Sequence, residues 1–227
     1  MKRYIERNAF TKKPVFWLPH VITRAQPPVD NSANLVLTIP GAIDHKRRDY
    51  LFALDVFETL HSLHPSTRLI LAGRPVGEYG NTILSKCKGL QQEGKSILFF
   101  NHEIKETTFQ SLLSESTFLF SPLQVSTTIH DDIPEQYGVS KYSGNIYDAI
   151  RHGKILLVPA TLSVPKEMES STVFYHAKEH FITRLLELVS DKEKLFQLQN
   201  EAYQNAMNFT KADYAHRFNA LLHLAPR

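Results

Sequence analysis

The chain is short of nearly everything that marks a specialised protein class. It has one cysteine, Cys87, among 227 residues. That excludes an intrachain disulfide framework and any cysteine-rich zinc site, and it suits a reducing compartment. No apolar run approaches the ~18 residues of a membrane-spanning helix. The opening stretch MKRYIERNAFTKK lacks the apolar core of a secretory signal. A cytoplasmic protein is expected, with at most peripheral membrane contact through the apolar run from Pro14 to Leu18. Charge of one sign is scarce too, with 26 Lys and Arg against 23 Asp and Glu. The basic residues gather early, and those further on alternate with acids instead of forming a stripe with interleaved aromatics. No nucleic-acid partner is expected.

Several catalytic signatures are also missing. Neither Gly-x-Ser-x-Gly, Gly-x-x-x-x-Gly-Lys-Ser/Thr nor Gly-x-Gly-x-x-Gly occurs. The chain therefore lacks the marks of a serine-hydrolase elbow, a nucleotide-triphosphate loop and a dinucleotide fingerprint. The 11 histidines are scattered without metal-ligand spacing. In His130-Asp131-Asp132 the two acids are neighbours and no second ligand group follows, so the cluster reads as a solvated loop. Neither a metal nor a cofactor is expected.

What is present is a regular alternation. Residues 1–34 read as an arm or connector, ending in the loop-like Gln26-Pro27-Pro28, and residues 35–227 read as one domain. Apolar runs at Leu35 to Ile39, Arg68 to Ala72, Ser96 to Phe100, Phe118 to Phe120 and Ile155 to Val158 are each short and continuous. Helical patterns separate them at about 79–92, 105–114 and 143–152, and Asp44 can cap a helix carrying Tyr50, Ala53, Leu54, Phe57 and Leu60 on one face. Continuous apolar strands with crossover helices give an α/β fold, a doubly wound parallel sheet of Rossmann-like type, here with a helical tail from about 178 to 224. Ligands of such sheets sit beyond the carboxyl ends of the strands. That rule selects the loops 40–48, 73–80, 101–105, 121–142 and 159–172.

The densest of these runs from Glu135 through Gln136, Tyr137, Gly138 and Lys141 to Ser143, Gly144 and Asn145, then into a helix ending at Gly153. Ser143 is a natural N-cap, and Gly144 lets a ligand approach the backbone. The first amides of that helix lack intrahelical partners and can hold a phosphate, with Lys141 adding positive charge. The same residues also make a plain turn and cap that needs no ligand. Arg47 and Arg48, at the expected start of the first helix, oppose its dipole unless an anion lies between them and the helix end. Gly73-Arg74-Pro75 offers a further cation, or a turn with an exposed arginine.

In their order from about 35 to 208, these landmarks resemble the carboxy-terminal, donor-binding domain of retaining GT-B glycosyltransferases, the glycogen-synthase-like family four. The first strand ends in Gly41, a basic helix start follows, and a Gly-Arg-Pro turn comes after the second strand. The run Phe99 to Ile104, with His102, is similar to the strand and loop that meet the nucleotide base, and Phe118 to Pro122 to the strand leading to the donor. The resemblance implies a glycosyltransferase that moves a sugar from a UDP- or GDP-sugar to a glycan or lipid-linked acceptor, as in polysaccharide biosynthesis, without a metal. Glu135 would face the sugar and Asp148 the ribose, with Tyr137 and Gly138 beside them. Lys141, Arg47 and Arg48, with the amides at Gly144 and Asn145, would stabilise the leaving diphosphate.

Three departures from the family pattern matter. Thirteen positions separate Glu135 from Asp148, where the family motif has about eight. Asp stands where the second Glu is usual, and Ala42 stands where the family carries arginine. The family's acceptor domain precedes the donor domain, whereas here only about 34 residues precede the first strand. A separate acceptor-binding chain or domain is thus expected, and the alternative is a non-catalytic nucleotide-sugar-binding subunit that complements such a partner.

Overall fold

The computed structural model describes residues 2–12, 15, 21–28, 35–129 and 133–224. Trp17, most of the apolar run around it, and the cluster His130-Asp131-Asp132 lie outside the described residues.

Six parallel strands form the sheet: β1 (Val36–Pro40), β2 (Arg68–Ala72), β3 (Ile97–Leu98), β4 (Phe118–Phe120), β7 (Ile155–Pro159) and β8 (Thr172–Tyr175). Their order is β3-β2-β1-β4-β7-β8. The chain thus winds outward from β1 in one direction, then returns to β1 and winds out in the other. The reversal lies between β1 and β4, which is where such a sheet opens a crevice at its carboxyl edge. Helices α2 (Tyr50–Leu63), α3 (Gly77–Gln92), α4 (Glu106–Glu115) and α5 (Gly144–His152) are the crossovers.

Side chains alternate across the strands, and each face has its own core. Leu37, Ile39, Leu69, Leu71, Phe118, Phe120, Ile155 and Leu157 share one cluster with α2, α3 and α6 (Lys178–Ser190). Leu119, Leu156 and Val158 share the other with Ile146, Ala149 and Ile150 of α5. Each Leu or Phe so buried contributes about 2 kcal/mol. Both faces are apolar because both are covered, which is why the strands read as continuous apolar runs.

Four local expectations are corrected. The first crossover helix begins at Tyr50, not near Asp44: the Asp49 carboxylate accepts from the Phe52 amide at 2.9 Å and sets the start. Asp44 closes a turn instead, accepting from the Lys46 amide at 2.9 Å. The loop 121–142 contains an antiparallel hairpin, β5 (Ser126–Ile129) and β6 (Ile133–Gln136). Its residues alternate too little in polarity to announce strands. The loop from 159 ends in β8 after a 3-10 turn at Lys166–Ser171. The helical tail divides into α6, α7 (Lys192–Ala206) and α8 (Lys211–Leu224), with Asp191 capping α7 by accepting from the Lys194 amide. No described helix is long and apolar enough to cross a membrane.

Ahead of the sheet, residues 21–25 cross the far end of α5. Val21 is buried in the α5 core, and the Arg24 amide donates to the Arg151 carbonyl at 2.8 Å.

The carboxyl ends of β1 and β2 meet at two glycines. Gly41 has φ +94°, and a Cβ on Gly73 would run into the Gly41 carbonyl. Because the obstacle is backbone, it cannot step aside. Gly73→Ala is therefore expected to lower the unfolding free energy by about 2–4 kcal/mol. Urea unfolding followed by circular dichroism checks this, and a midpoint equal to that of the unmodified protein would contradict the close approach.

Candidate functional site

The crevice between β1 and β4 is built around Arg48. Because α2 starts at Tyr50, Arg48 lies in the turn before the helix, and its amide donates to the Asp44 carbonyl at 3.2 Å. That turn aims the side chain inward, leaving Arg48 only 8% exposed. Its Nη2 donates to Asn145 Oδ1 at 2.8 Å and its Nη1 to the Ala42 carbonyl at 3.2 Å. Nε is buried with no hydrogen-bond partner. Both partners are neutral oxygens, and no described carboxylate forms an ion pair with this guanidinium. Gly41 has φ +94°, which favours glycine, and a Cβ there would lie 2.9 Å from Nη2 and push the guanidinium aside.

The opposite wall is the start of α5. Ser143 occupies the N-cap position with extended backbone, as its residue type suggests, yet makes no side-chain cap hydrogen bond. Its hydroxyl sits 3.5 Å from Asn145 Oδ1 instead. A Cβ at Gly144 would meet nothing within 4 Å, so the flank of the helix start at Gly144 is open. Asn145 reaches back to the end of β1, its Nδ2 donating to the Pro40 carbonyl at 3.4 Å. One amide side chain thereby ties the first strand, the buried cation and the helix start together. Ser121, at the end of β4, is 1% exposed and its hydroxyl has no partner. Helix amides, a guanidinium edge and an unmatched hydroxyl are all donors, and an anion is the complementary group.

Asp148 lies one turn further along α5. Burial pushes its carboxyl up from an ordinary 3.8 to about 6; Arg151 and Arg48 oppose the shift, and Glu106 at the start of α4 adds to it.

A second group forms around the end of the hairpin. Lys141 Nζ is 3.4 Å from Glu135 Oε2 and lies over the Tyr137 ring at 5.5 Å from its centroid. Tyr137 is buried in the α5 core. Gly138 has φ +83°, and its amide donates to the Lys141 carbonyl at 2.7 Å, closing the turn that brings Lys141 back over Glu135.

The other sequence-selected residues stand apart from both groups. Arg47 turns outward, with its Nε 3.5 Å from Asp44. Arg74 and His102 are exposed at the ends of neighbouring loops, and Ile104 packs among apolar side chains between β2 and α4. Sequence reasoning assigned no role to Ser121 or to the Asn145 side chain. A Ser-Pro pair closing a strand was the only signal for the first, and nothing local announced the second. A further cleft, of about 420 Å³ and lined by Arg24, Arg68, His152 and Lys154, lies at the opposite, amino ends of the strands.

No family model matches the chain, and no curated protein matches it in sequence. Solved structures do match. The C-terminal domain of a group 1 glycosyl transferase family protein, LpcC from Francisella tularensis, superposes with a TM-score of 0.58 at 12% identity, covering 77% of this chain and 85% of that one. TarM from S. aureus, solved with fondaparinux, alpha-GlcNAc-glycerol and UDP, gives 0.69 at 12% identity over 96% of this chain and 41% of its own. WaaG, a glycosyltransferase involved in lipopolysaccharide biosynthesis, gives 0.55 at 14% identity over 96% and 48%. The chain therefore has the fold of the carboxy-terminal domain of GT-B glycosyltransferases, and it spans less than half the length of TarM or WaaG.

The raised Asp148 carboxyl carries a pH signature. The folded state binds this proton more tightly than the unfolded chain does, so stability falls as pH rises from about 4 to about 6 and the full cost persists above. Asp148→Asn removes that cost. It should stabilise the protein by up to about 3 kcal/mol at pH 7 and hardly at all below pH 4, as checked by thermal melts across that range. A gain independent of pH would assign the effect to something other than the carboxylate.

Proposed function

We propose that this chain is the donor-binding half of a glycosyltransferase that moves a sugar from a UDP- or GDP-sugar to a glycan or lipid-linked acceptor without a metal. The observation that carries this reading is the buried Arg48 guanidinium, held at the strand-order reversal by neutral oxygens alone and facing the start of α5. A cation so placed is costly unless an anion completes it. The likeness of fold to glycosyltransferases supports a nucleotide diphosphate as that anion.

In the proposed reaction the bond between the sugar's anomeric carbon and the diphosphate oxygen breaks, and negative charge grows on the leaving diphosphate. Arg48, the amides at Gly144 and Asn145, and Lys141 lie on the side where that charge would develop, and preorganised donors act most strongly where charge appears. Glu135 faces the sugar and Asp148 the ribose, with Gly41, Ser143, Tyr137 and Gly138 shaping the cradle. His102 and Ile104 border the base, while Arg47 and Arg74 stand further out as a secondary cationic rim. Residues 1–34 serve as the connector to an acceptor half.

Calorimetric titration with UDP and GDP tests the reading. Arg48→Met should weaken binding of the preferred nucleotide at least about tenfold, the worth of a charge-assisted hydrogen bond. Its melting curve should stay within about 1 kcal/mol of the unmodified protein, because exchanging an unpaired buried charge for an apolar side chain costs little. Lys141→Ala should abolish diphosphate-dependent binding. Unchanged affinity in both variants, or no nucleotide binding at all, would overturn the assignment. Donor hydrolysis by the isolated chain would make it an enzyme in its own right. Binding without turnover, relieved by an acceptor-binding partner, would make it a non-catalytic subunit.

A further inference from the structure

Beside the crevice lies an open cleft of about 860 Å³, walled on one side by the turn before α2 and by Tyr79 of α3, and on the other by the β5–β6 hairpin. That hairpin has no buried side chain among the described residues of its two strands. Its second strand is mostly exposed, Ile133 being 57% exposed, and two isolated strands are marginal in water. It is fastened to the body by polar contacts: Thr127 Oγ1 donates to the Lys46 carbonyl at 2.8 Å, and the Gln124 amide donates to the Arg47 carbonyl at 3.0 Å. The register sets Ser126 opposite Gln136 and Thr127 opposite Glu135, and all four line the cleft. Across from them, the His45 and Tyr79 rings stand 5.7 Å apart.

This lining has a definite chemistry. Hydroxyls and carboxamides both donate and accept, carboxylates accept, and aromatic rings offer an apolar face with a polar rim. A ligand dense in hydroxyls, with C–H faces that can lie on a ring or against Leu51, Pro134 and Val139, answers these groups. The volume sits near the upper end of small-molecule sites and suits several sugar rings in a row. Glu135 stands in the same wall and is also paired with Lys141, two residues before the N-cap of α5.

We infer that the cleft beneath the hairpin is a saccharide subsite that holds a neutral acceptor oligosaccharide on this half of the protein. The word acceptor rests on the proposed function above, whereas saccharide binding does not.

The test separates the two. Saturation-transfer NMR is run on the full chain, without nucleotide, against neutral tetrasaccharides of glucose, mannose, galactose and N-acetylglucosamine. At least one should receive saturation. Gln136→Ala and His45→Ala, both exposed positions, should each weaken that sugar about tenfold, the worth of one well-made hydrogen bond, and leave UDP and GDP affinity within twofold. Transfer to none of the four, or transfer indifferent to both substitutions, would overturn the subsite. Sugar binding that survives in a chain unable to bind either nucleotide would keep the subsite and remove the donor-site reading instead.

Discussion

The arrangement at the carboxyl edge depends on one buried charge. Moving an arginine out of water costs several kcal/mol even after relaxation, and the two neutral hydrogen bonds at Arg48 return only part of it. The surrounding sequence makes room for that cation rather than avoiding it. Gly41 leaves space for Nη2, the helix start is delayed to Tyr50, and Asn145 turns its oxygen toward the guanidinium. Tyr50, fully buried, donates its hydroxyl to the Gly41 and Ala42 carbonyls, fixing the turn from below. An apolar residue at position 48 would fill the same volume with none of this scaffolding, so the charge itself is what the scaffolding serves.

The family resemblance locates a cation at position 42, and here there is alanine. Arg48 Nη1 lies against the Ala42 carbonyl, so the structure brings positive charge to the same turn from six residues further along. This relocation is possible because Asp44 closes a turn instead of starting a helix. Two successive residues then diverge: Arg47 outward to Asp44, Arg48 inward to Asn145. Had the helix begun near Asp44, both arginines would lie on its first turn and oppose its dipole, and neither would reach the crevice.

The sheet was legible in the sequence because burial on both faces writes itself as continuous apolar runs such as Leu69-Ile70-Leu71. The ends of α5 were legible as well, since Ser143 and Gly153 are residue types that begin and end helices, and Gly153 adopts φ 59° at the C-cap. The hairpin was not legible. Ser-Thr-Thr and Ile-Pro-Glu-Gln carry no alternation of polarity, because none of the described side chains of the two strands is buried in the core. Nor was the split between Arg47 and Arg48: it depends on which of two aspartates, Asp44 or Asp49, caps the helix, and both are competent caps. Contacts between distant segments, such as Arg48 with Asn145, leave no local trace in sequence at all.

The same polarity that hid the hairpin constrains what it can be. Strands kept for stability bury one face, and among the described residues of this pair no side chain is buried. Ser126, Thr127, Glu135 and Gln136 of its two strands line the cleft that Tyr79 and His45 also line. Glu135 belongs both to that lining and to the Lys141 pair, so the cleft contains the residue expected to meet the donor sugar. The longer spacing between Glu135 and Asp148 acquires a physical sense in this setting. The turn 137–141 folds Lys141 back over Glu135, setting a cation between the hairpin and the start of α5. Gly138 at φ +83° makes that turn possible, and the buried Tyr137 ring supports the lysine from beneath.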